Sequence, residues 1–340
     1  MSLRPDVLLI FAVACGGNTE PTDPTPGTSD GPTGTETPVP TDTTDAPPTG
    51  PDPATVELGA TCPLDKKLGE FKVESYDIYS IVDGTVSDAV VPVTILEEIG
   101  RDGDCVLLKR NNPFCSPACA PLETCDFGTC VPYPTEQGLG TATVTGLLEA
   151  VEMLPVPPGA KYFDITVPHP PADPGALITL TTTGDVYPAV ELHGVGVEML
   201  SMTTTDLVIE SGLPLVVGWD PPVAEVARAE IWMRLNVDQH GVTPVMLTCV
   251  TADDGAFDLS ATLIDQLLAL GVTGYPSLAV HRRTIDTAEI GDVEGEPGCM
   301  EFRVASTANP SVRVEGYTPC LTDFDCPPPL TCNEPIGLCE

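Results

Sequence analysis

In the stretch RAEIWMRLNV (228–237), Ala229, Ile231, Met233 and Leu235 fall on one side, and Glu230, Trp232 and Arg234 on the other. That is the period-two alternation of a half-buried strand. The same signature recurs in KYFDITV (161–167), ALITLTT (176–182), AVELHGVGVEML (189–200), DLVIE (206–210), LPLVVGWD (213–220), PVMLTCV (244–250), SLAVHRR (277–283), CMEFRVAS (299–306) and SVRVEGY (311–317). Short Val- and Thr-rich strands separated by Pro and Gly predict a mainly β protein built as an antiparallel β-sandwich. One segment breaks the rhythm. LSATLIDQLLALG puts Leu263, Ile264, Leu267 and Leu268 on a single stripe, which predicts a short helix with Ser260 as its cap and Gly271 at its end, plugging one open end of the sandwich.

The pattern also divides the chain. Residues 135–317 form the expected sandwich body, and 56–110, including EFKVESYDIYSIVDGTVSDAVVPVTILEEIG (70–100), form a small N-terminal β subregion docked on it. Upstream, Val7 to Ala14 is a short apolar run after Arg4, too short to span a bilayer. From Asn18 to about Thr55 the chain is mostly Thr, Pro, Gly and Asp, with no Lys or Arg between Arg4 and Lys66. Such a segment has too little apolar surface to offset the entropy of ordering, and reads as a disordered, extended stalk that also suits O-glycosylation.

Cysteines add a second layer of organisation. A four-cysteine pattern occurs twice, as CSPACAPLETCDFGTC (module 1, within 111–134) and CLTDFDCPPPLTCNEPIGLC (module 2, within 318–340). Both copies carry Thr just before the third cysteine and a glycine, Gly128 or Gly337, two before the last. Segments this short cannot build a core, so they need staples. Of three connectivities per module, the one adopted here is Cys115–Cys125 with Cys119–Cys130, and Cys320–Cys332 with Cys326–Cys339. Zinc knuckles favour closer cysteine pairs, and an exported chain oxidises. Cys249 and Cys299 fall at or near strands and are expected to bridge across the sandwich, leaving Cys62 to pair with Cys105. Twelve of the 13 cysteines are then paired, and Cys15 is the odd one.

Cys15 closes the sequence AVAC, which resembles the lipobox of bacterial lipoproteins. That resemblance implies a signal peptide at 1–14, cleavage before Cys15, and a membrane partner reached through lipid on its sulfur and new amino group. Gly16 is not the Asp that marks inner-membrane retention in some such systems, so outer-membrane, surface-exposed display is expected, with secretion or a periplasmic location as the alternative. The run DCVLLKRNNPFCSPACAPLETCDFGTCVPYP (104–134), followed by LGTATVTGL, resembles predicted myxobacterial lipoproteins with cysteine-rich repeats. The resemblance implies a location and an architecture; it carries no activity and no catalytic residue.

Charge narrows the partners. Fifty acidic residues against 14 basic ones give a net charge of −36, which repels nucleic acid and excludes it as an expected ligand. There is no H-E-x-x-H and no P-loop. The four histidines, His169, His193, His240 and His281, are scattered, and each reads as an ordinary hydrogen-bonded side chain. TADDGAFD places Asp253, Asp254 and Asp258 around a glycine, a carboxylate group that suits Ca²⁺ but lacks EF-hand spacing; no other cofactor is expected. Trp232, on the polar side of its strand, is the candidate ligand-stacking residue. The expectation is a non-enzymatic, surface-displayed lipoprotein that binds a protein or glycan ligand or serves envelope structure. An extracellular hydrolase with a dispersed site and a calcium- or glycan-dependent adhesin are the alternatives. The oligomeric state is not legible.

Overall fold

The computed structural model describes residues 55–340, apart from 111, 113, 225, 227, 238–244, 273–275 and 336. The chain is mainly β. Its strands are β1 (Lys67–Ser75), β2 (Ser80–Val86), β3 (Leu96–Asp102), β4 (Cys105–Arg110), β5 (Glu123–Asp126), β6 (Thr129–Pro132), β7 (Ala142–Thr145), β8 (Val151–Met153), β9 (Tyr162–Asp164) and β10 (Leu177–Thr182). There follow β11 (Glu191–Val195), β12 (Asp206–Ile209), β13 (Leu215–Gly218), β14 (Glu230–Asn236), β15 (Val245–Thr251) and β16 (Ala256–Leu259), helix α1 (Ala261–Ala269), then β17 (Ser277–Val293), β18 (Glu296–Ala308), β19 (Ser311–Val314), β20 (Cys332–Asn333) and β21 (Leu338–Cys339).

Nine strands make one sheet in the order β3-β4-β15-β14-β17-β18-β1-β2-β9. Neighbours are antiparallel except β1 and β18, which run parallel. Segment 56–110 is therefore not a subregion docked on the body. Its four strands are built into the main sheet, β1 and β2 beside β18, and β3 and β4 at the far edge.

Alternation gives this sheet one apolar face, and two separate layers cover it. Over the β18-β1-β2 half lies the four-stranded sheet β11-β10-β7-β8, and Phe71, Val73, Val82, Phe302 and Val304 pack against Ala142, Val144, Ile178, Leu180 and Leu192 in a sandwich core. Gly194 permits a close approach, since a Cβ there would stand 2.5 Å from the Val304 side chain. Over the other half lie β12, β13, β16, β19 and α1, whose Ile209, Val217, Trp219, Leu263, Ile264 and Leu267 pack against Leu107, Ile231, Met233, Leu235 and Leu247. The helix thus lies on the sheet's face near β15 and β3 rather than plugging an end. Ser260 holds the cap position without a side-chain capping bond; its carbonyl accepts from Ile264 N–H.

The 17-residue β17 and 13-residue β18 form a hairpin long enough to underlie both cores. Glu294 and Gly295 both have positive φ at its two-residue turn, the backbone twist that suits a tight hairpin. Where the two cores meet, the inner face of the hairpin turns polar for a reason. Strand β11 is a sheet edge, and its His193 and Val195 N–H groups donate to Asp286 Oδ2 (2.8 Å) and Thr284 Oγ1 (2.9 Å). Ser306 Oγ likewise accepts from Leu200 N–H at 2.8 Å. Side chains of the long hairpin thereby satisfy buried backbone donors that no strand pairs.

Both modules have the expected bridges: Cys115–Cys125, Cys119–Cys130, Cys320–Cys332 and Cys326–Cys339. Each module is a disulfide-clamped hairpin, β5–β6 or β20–β21. The other two bonds correct the expected pairing: they are Cys62–Cys299 and Cys105–Cys249. Strand β4 pairs directly with β15, putting Cys105 opposite Cys249 with Cα atoms 4.1 Å apart. That bond joins neighbouring strands and does not cross the sandwich. Cys62 precedes β1, whose register sets Lys67 beside Cys299, so the remaining pair closes there.

Candidate functional site: a charged groove on the open sheet face

The face of the nine-stranded sheet opposite the two cores carries a groove of about 730 Å³. Alternation dictates its floor. Because Phe71, Val73, Ile231, Met233, Val280, Phe302 and Val304 point into the cores, their strand neighbours point the other way. Strand pairing then aligns Trp232 with His281 and His281 with Thr307, and sets Lys72 beside Arg303. Thr61, Leu64, Val93 and Leu96 form part of the rim.

A short internal repeat underlies one side of the groove. EFKVES (70–75) on β1 and EFRVAS (301–306) on β18 lie side by side in parallel register, Glu70 against Glu301, Phe71 against Phe302 and Lys72 against Arg303. Like charges are thus neighbours, and opposite charges from adjoining rows bind them together. Lys67 Nζ reaches Glu70 and Glu301 at 2.5 Å each, and Lys72 Nζ lies 3.2 Å from Glu74 and 3.6 Å from Asp83. Arg303 is 3.9 Å from both Glu70 and Glu74.

The groove's charge differs from that of the molecule around it. Six of the chain's 14 basic residues line it, Lys67, Lys72, Arg110, Arg234, Arg283 and Arg303, with only three of its 50 acidic ones, Glu70, Glu74 and Glu301. Exposed charges are screened within about 8 Å at physiological salt, so a ligand in the groove feels this local excess of cations more than the distant acidic surface. Three guanidinium groups surround the half-buried indole of Trp232, with Arg283 at 4.7 Å, Arg303 at 5.7 Å and Arg234 at 5.8 Å from its ring centre. The His281 ring lies against the same indole, centroids 4.8 Å apart. Arg283 is held by Glu230 at 2.8 Å; Arg234 is exposed and has no carboxylate partner among the described residues.

At the floor, the Thr307 hydroxyl donates to Glu74 Oε1 at 2.6 Å, and His281 Nδ1 meets Thr307 Oγ1 at 2.7 Å and Glu74 Oε1 at 3.3 Å. A carboxylate only accepts, and Thr307 spends its proton on it, so His281 donates from Nδ1. Burial holds the His281 pKa below its ordinary value, with the charges of Arg303 and Arg234 acting in the same direction, and the ring is neutral. Its Nε2 is therefore a bare acceptor. Burial opposes ionisation of Glu74, but bonds from His281 and Thr307 and the charges of Arg303 and Lys72 outweigh it and hold the carboxyl well below the usual range. His281 Nε2, Arg303 Nε and Asp83 Oδ1 are buried without a hydrogen-bond partner among the described residues.

This cluster is not a nucleophile triad. One ring nitrogen serves both the hydroxyl and the carboxylate, whereas a triad uses opposite nitrogens for the two tasks. Of the other described histidines, His169 lacks a carboxylate and meets the buried Ser80 hydroxyl at 2.9 Å and the Asp77 carbonyl. His193 meets a hydroxyl and a carboxylate on opposite ring nitrogens, Thr179 at 3.2 Å from Nδ1 and Glu191 at 3.5 Å from Nε2. His240 lies outside the described residues, as do Cys15, the signal segment and the stalk.

The carboxylates offered for calcium do not converge. Asp253 is committed to Arg282 and to the Trp219 indole N–H, while Asp254 and Asp258 are exposed, and the three do not come within 4.8 Å of one another as a ligand set. In module 2, Asp325 accepts from the Leu321 and Thr322 N–H groups and Asp323 from Cys332 N–H, a folding role. Sulfurs do gather within 4.8 Å in each module, among Cys115, Cys119 and Cys130 and among Cys320, Cys326 and Cys332. All are in disulfides, and the thiolate is the form that ligates metal.

Of the residues singled out from sequence, Trp232 and His281 lie together in the groove. Lys72, Glu74, Arg283, Arg303 and Thr307 were missed, although EFKVES and EFRVAS display Lys72, Glu74 and Arg303 as polar positions alternating with apolar ones. In comparisons with known proteins, no family model and no curated protein matches this chain.

Proposed function

We propose that this chain is a non-enzymatic binding protein, displayed outside the cell by lipid on Cys15 and held off the membrane by its Thr/Pro stalk. The lipobox-like AVAC, the stalk composition and the six disulfides of the described residues support the location. The observation that carries the binding role is the groove: cations concentrated on one open face of a −36 protein, around a partly exposed tryptophan. Desolvating charges on a sheet face costs stability and contributes nothing to a core, which favours a ligand-facing role for them. The test is capture of envelope material by the chain made under oxidising conditions. Wild type retains a specific component; Arg234→Ala combined with Thr248→Trp, which removes a cation and fills the groove, loses it. Equal capture by the two would refute the groove as the binding surface.

A further inference from the structure

The ligand class can be read from which polar atoms of the groove are already spent. Glu70, Glu74 and Glu301 are taken up by Lys67, Lys72 and Thr307. The unmet groups are of two kinds. Arg234 and the buried Arg303 Nε are donors that want an anion, while His281 Nε2 is an acceptor that wants a proton donor. Both Arg303 and His281 lie against the Trp232 indole, at 5.7 and 4.8 Å.

Sulfate and phosphodiester groups supply the anion but no proton. Asp and Glu side chains of a peptide do the same, with donors only on the backbone. A sugar acid carries a carboxylate and several hydroxyl donors on one ring, and its C–H face suits an aromatic side chain. The groove's volume of about 730 Å³ lies within the about 300–1,000 Å³ of small-ligand sites, which fits a short run of sugars.

We infer that the groove binds uronate-type units of an anionic glycan, the carboxylate on Arg234 and Arg303, a ring hydroxyl donating to His281 Nε2, and the sugar against Trp232. This rests on the reading above that the groove is a ligand site. Because Arg303 Nε and His281 Nε2 are covered in the free protein, binding entails a shift of the Trp232 ring. Trp219, the chain's other tryptophan, is buried in the core, so the change in fluorescence reports Trp232.

The experiment titrates the full chain, made under oxidising conditions, with trigalacturonate, neutral galactotriose, triglutamate and inorganic sulfate, following tryptophan fluorescence. Trigalacturonate gives a saturable change that weakens with salt, and galactotriose, triglutamate and sulfate bind at least about tenfold more weakly. Arg234→Ala, at an exposed side chain without an ion-pair partner among the described residues, lowers the affinity at least about tenfold at an unchanged unfolding midpoint. Equal binding of galactotriose overturns anion recognition. Equal binding of triglutamate or sulfate overturns the sugar class. No saturable response, or one that survives Arg234→Ala, overturns the inference outright. Groove-dependent capture of envelope material in the absence of uronate binding leaves the binding function standing and removes only the ligand class; loss of both removes both.

Discussion

Arg282 and Asp253 form an ion pair at 2.6 Å with side chains almost wholly buried, 1% and 7% exposed. The pair is a junction. Asp253 also accepts from the Trp219 indole at 2.8 Å, and the Arg282 guanidinium donates to the carbonyls of Glu198, Met199 and Asp220. Asp253→Ala strands a buried guanidinium and an indole N–H, and should cost about 3–5 kcal/mol in urea unfolding. Addition of Ca²⁺ should leave the wild-type unfolding midpoint where it is, since this carboxylate is already spent; a rise would restore the calcium site.

Non-reducing peptide maps should recover Cys62 with Cys299 and Cys105 with Cys249. These bonds span sequence separations of 237 and 144, against 10 to 13 in the modules. On chain entropy the Cys105–Cys249 bond contributes about 5 kcal/mol, so Cys105→Ala with Cys249→Ala should lower the stability of the whole body. Removing both bridges of module 2 should release protease sites within 318–340 and leave the body's melting transition in place.

Acid should weaken the fold through the groove floor. The pKa of Glu74 is lowered on folding from an ordinary 4.5, so its stabilising contribution is present above that value and is lost as pH falls below it. His281 is lowered from 6.5 by burial; below that pH the unfolded chain takes up a proton that the folded chain refuses, and stability falls in the same direction. Chemical unfolding measured between neutral pH and pH ~3 should show a decline that is shallower in Glu74→Gln, itself less stable at neutral pH. A parallel pair of curves would show that Glu74 is not the titrating group.

Cys15→Ser should move the protein from the membrane fraction to the soluble one and leave all six bridges of the described residues intact. Retention of the variant in membranes, with wild-type processing, would disprove the lipid anchor.

The faces of the strands were legible in the sequence, and their neighbours were not. Alternation in RAEIWMRLNV correctly sorted Ile231, Met233 and Leu235 to the core and Trp232 and Arg234 to the open face. It carries no information about which strand lies beside which. The pairings of β1 with β18 and of β4 with β15 each close across more than a hundred residues, and together they placed 56–110 inside the main sheet and redirected two disulfides. The repeat EFKVES/EFRVAS was the visible hint, since similar segments suit adjacent positions in one sheet. The polar inner face of β17 at Arg282, Thr284 and Asp286 resisted reading for a different reason. It exists to satisfy backbone donors of β11 and to neutralise Asp253, partners known only once the layers are stacked.

The Cys62–Cys299 bond has a mechanical consequence. It sits ahead of β1, where the chain coming from the N-terminal side first joins the sheet. Tension applied through that side reaches a covalent link to β18 before it reaches the hydrogen bonds of β1. Strand β1 is therefore sheltered from being unzipped at its leading end, and the load passes into the longest hairpin, which underlies both cores. An oxidised molecule pulled by its N-terminus would yield only by shearing that hairpin; a reduced one would peel, strand by strand, from β1.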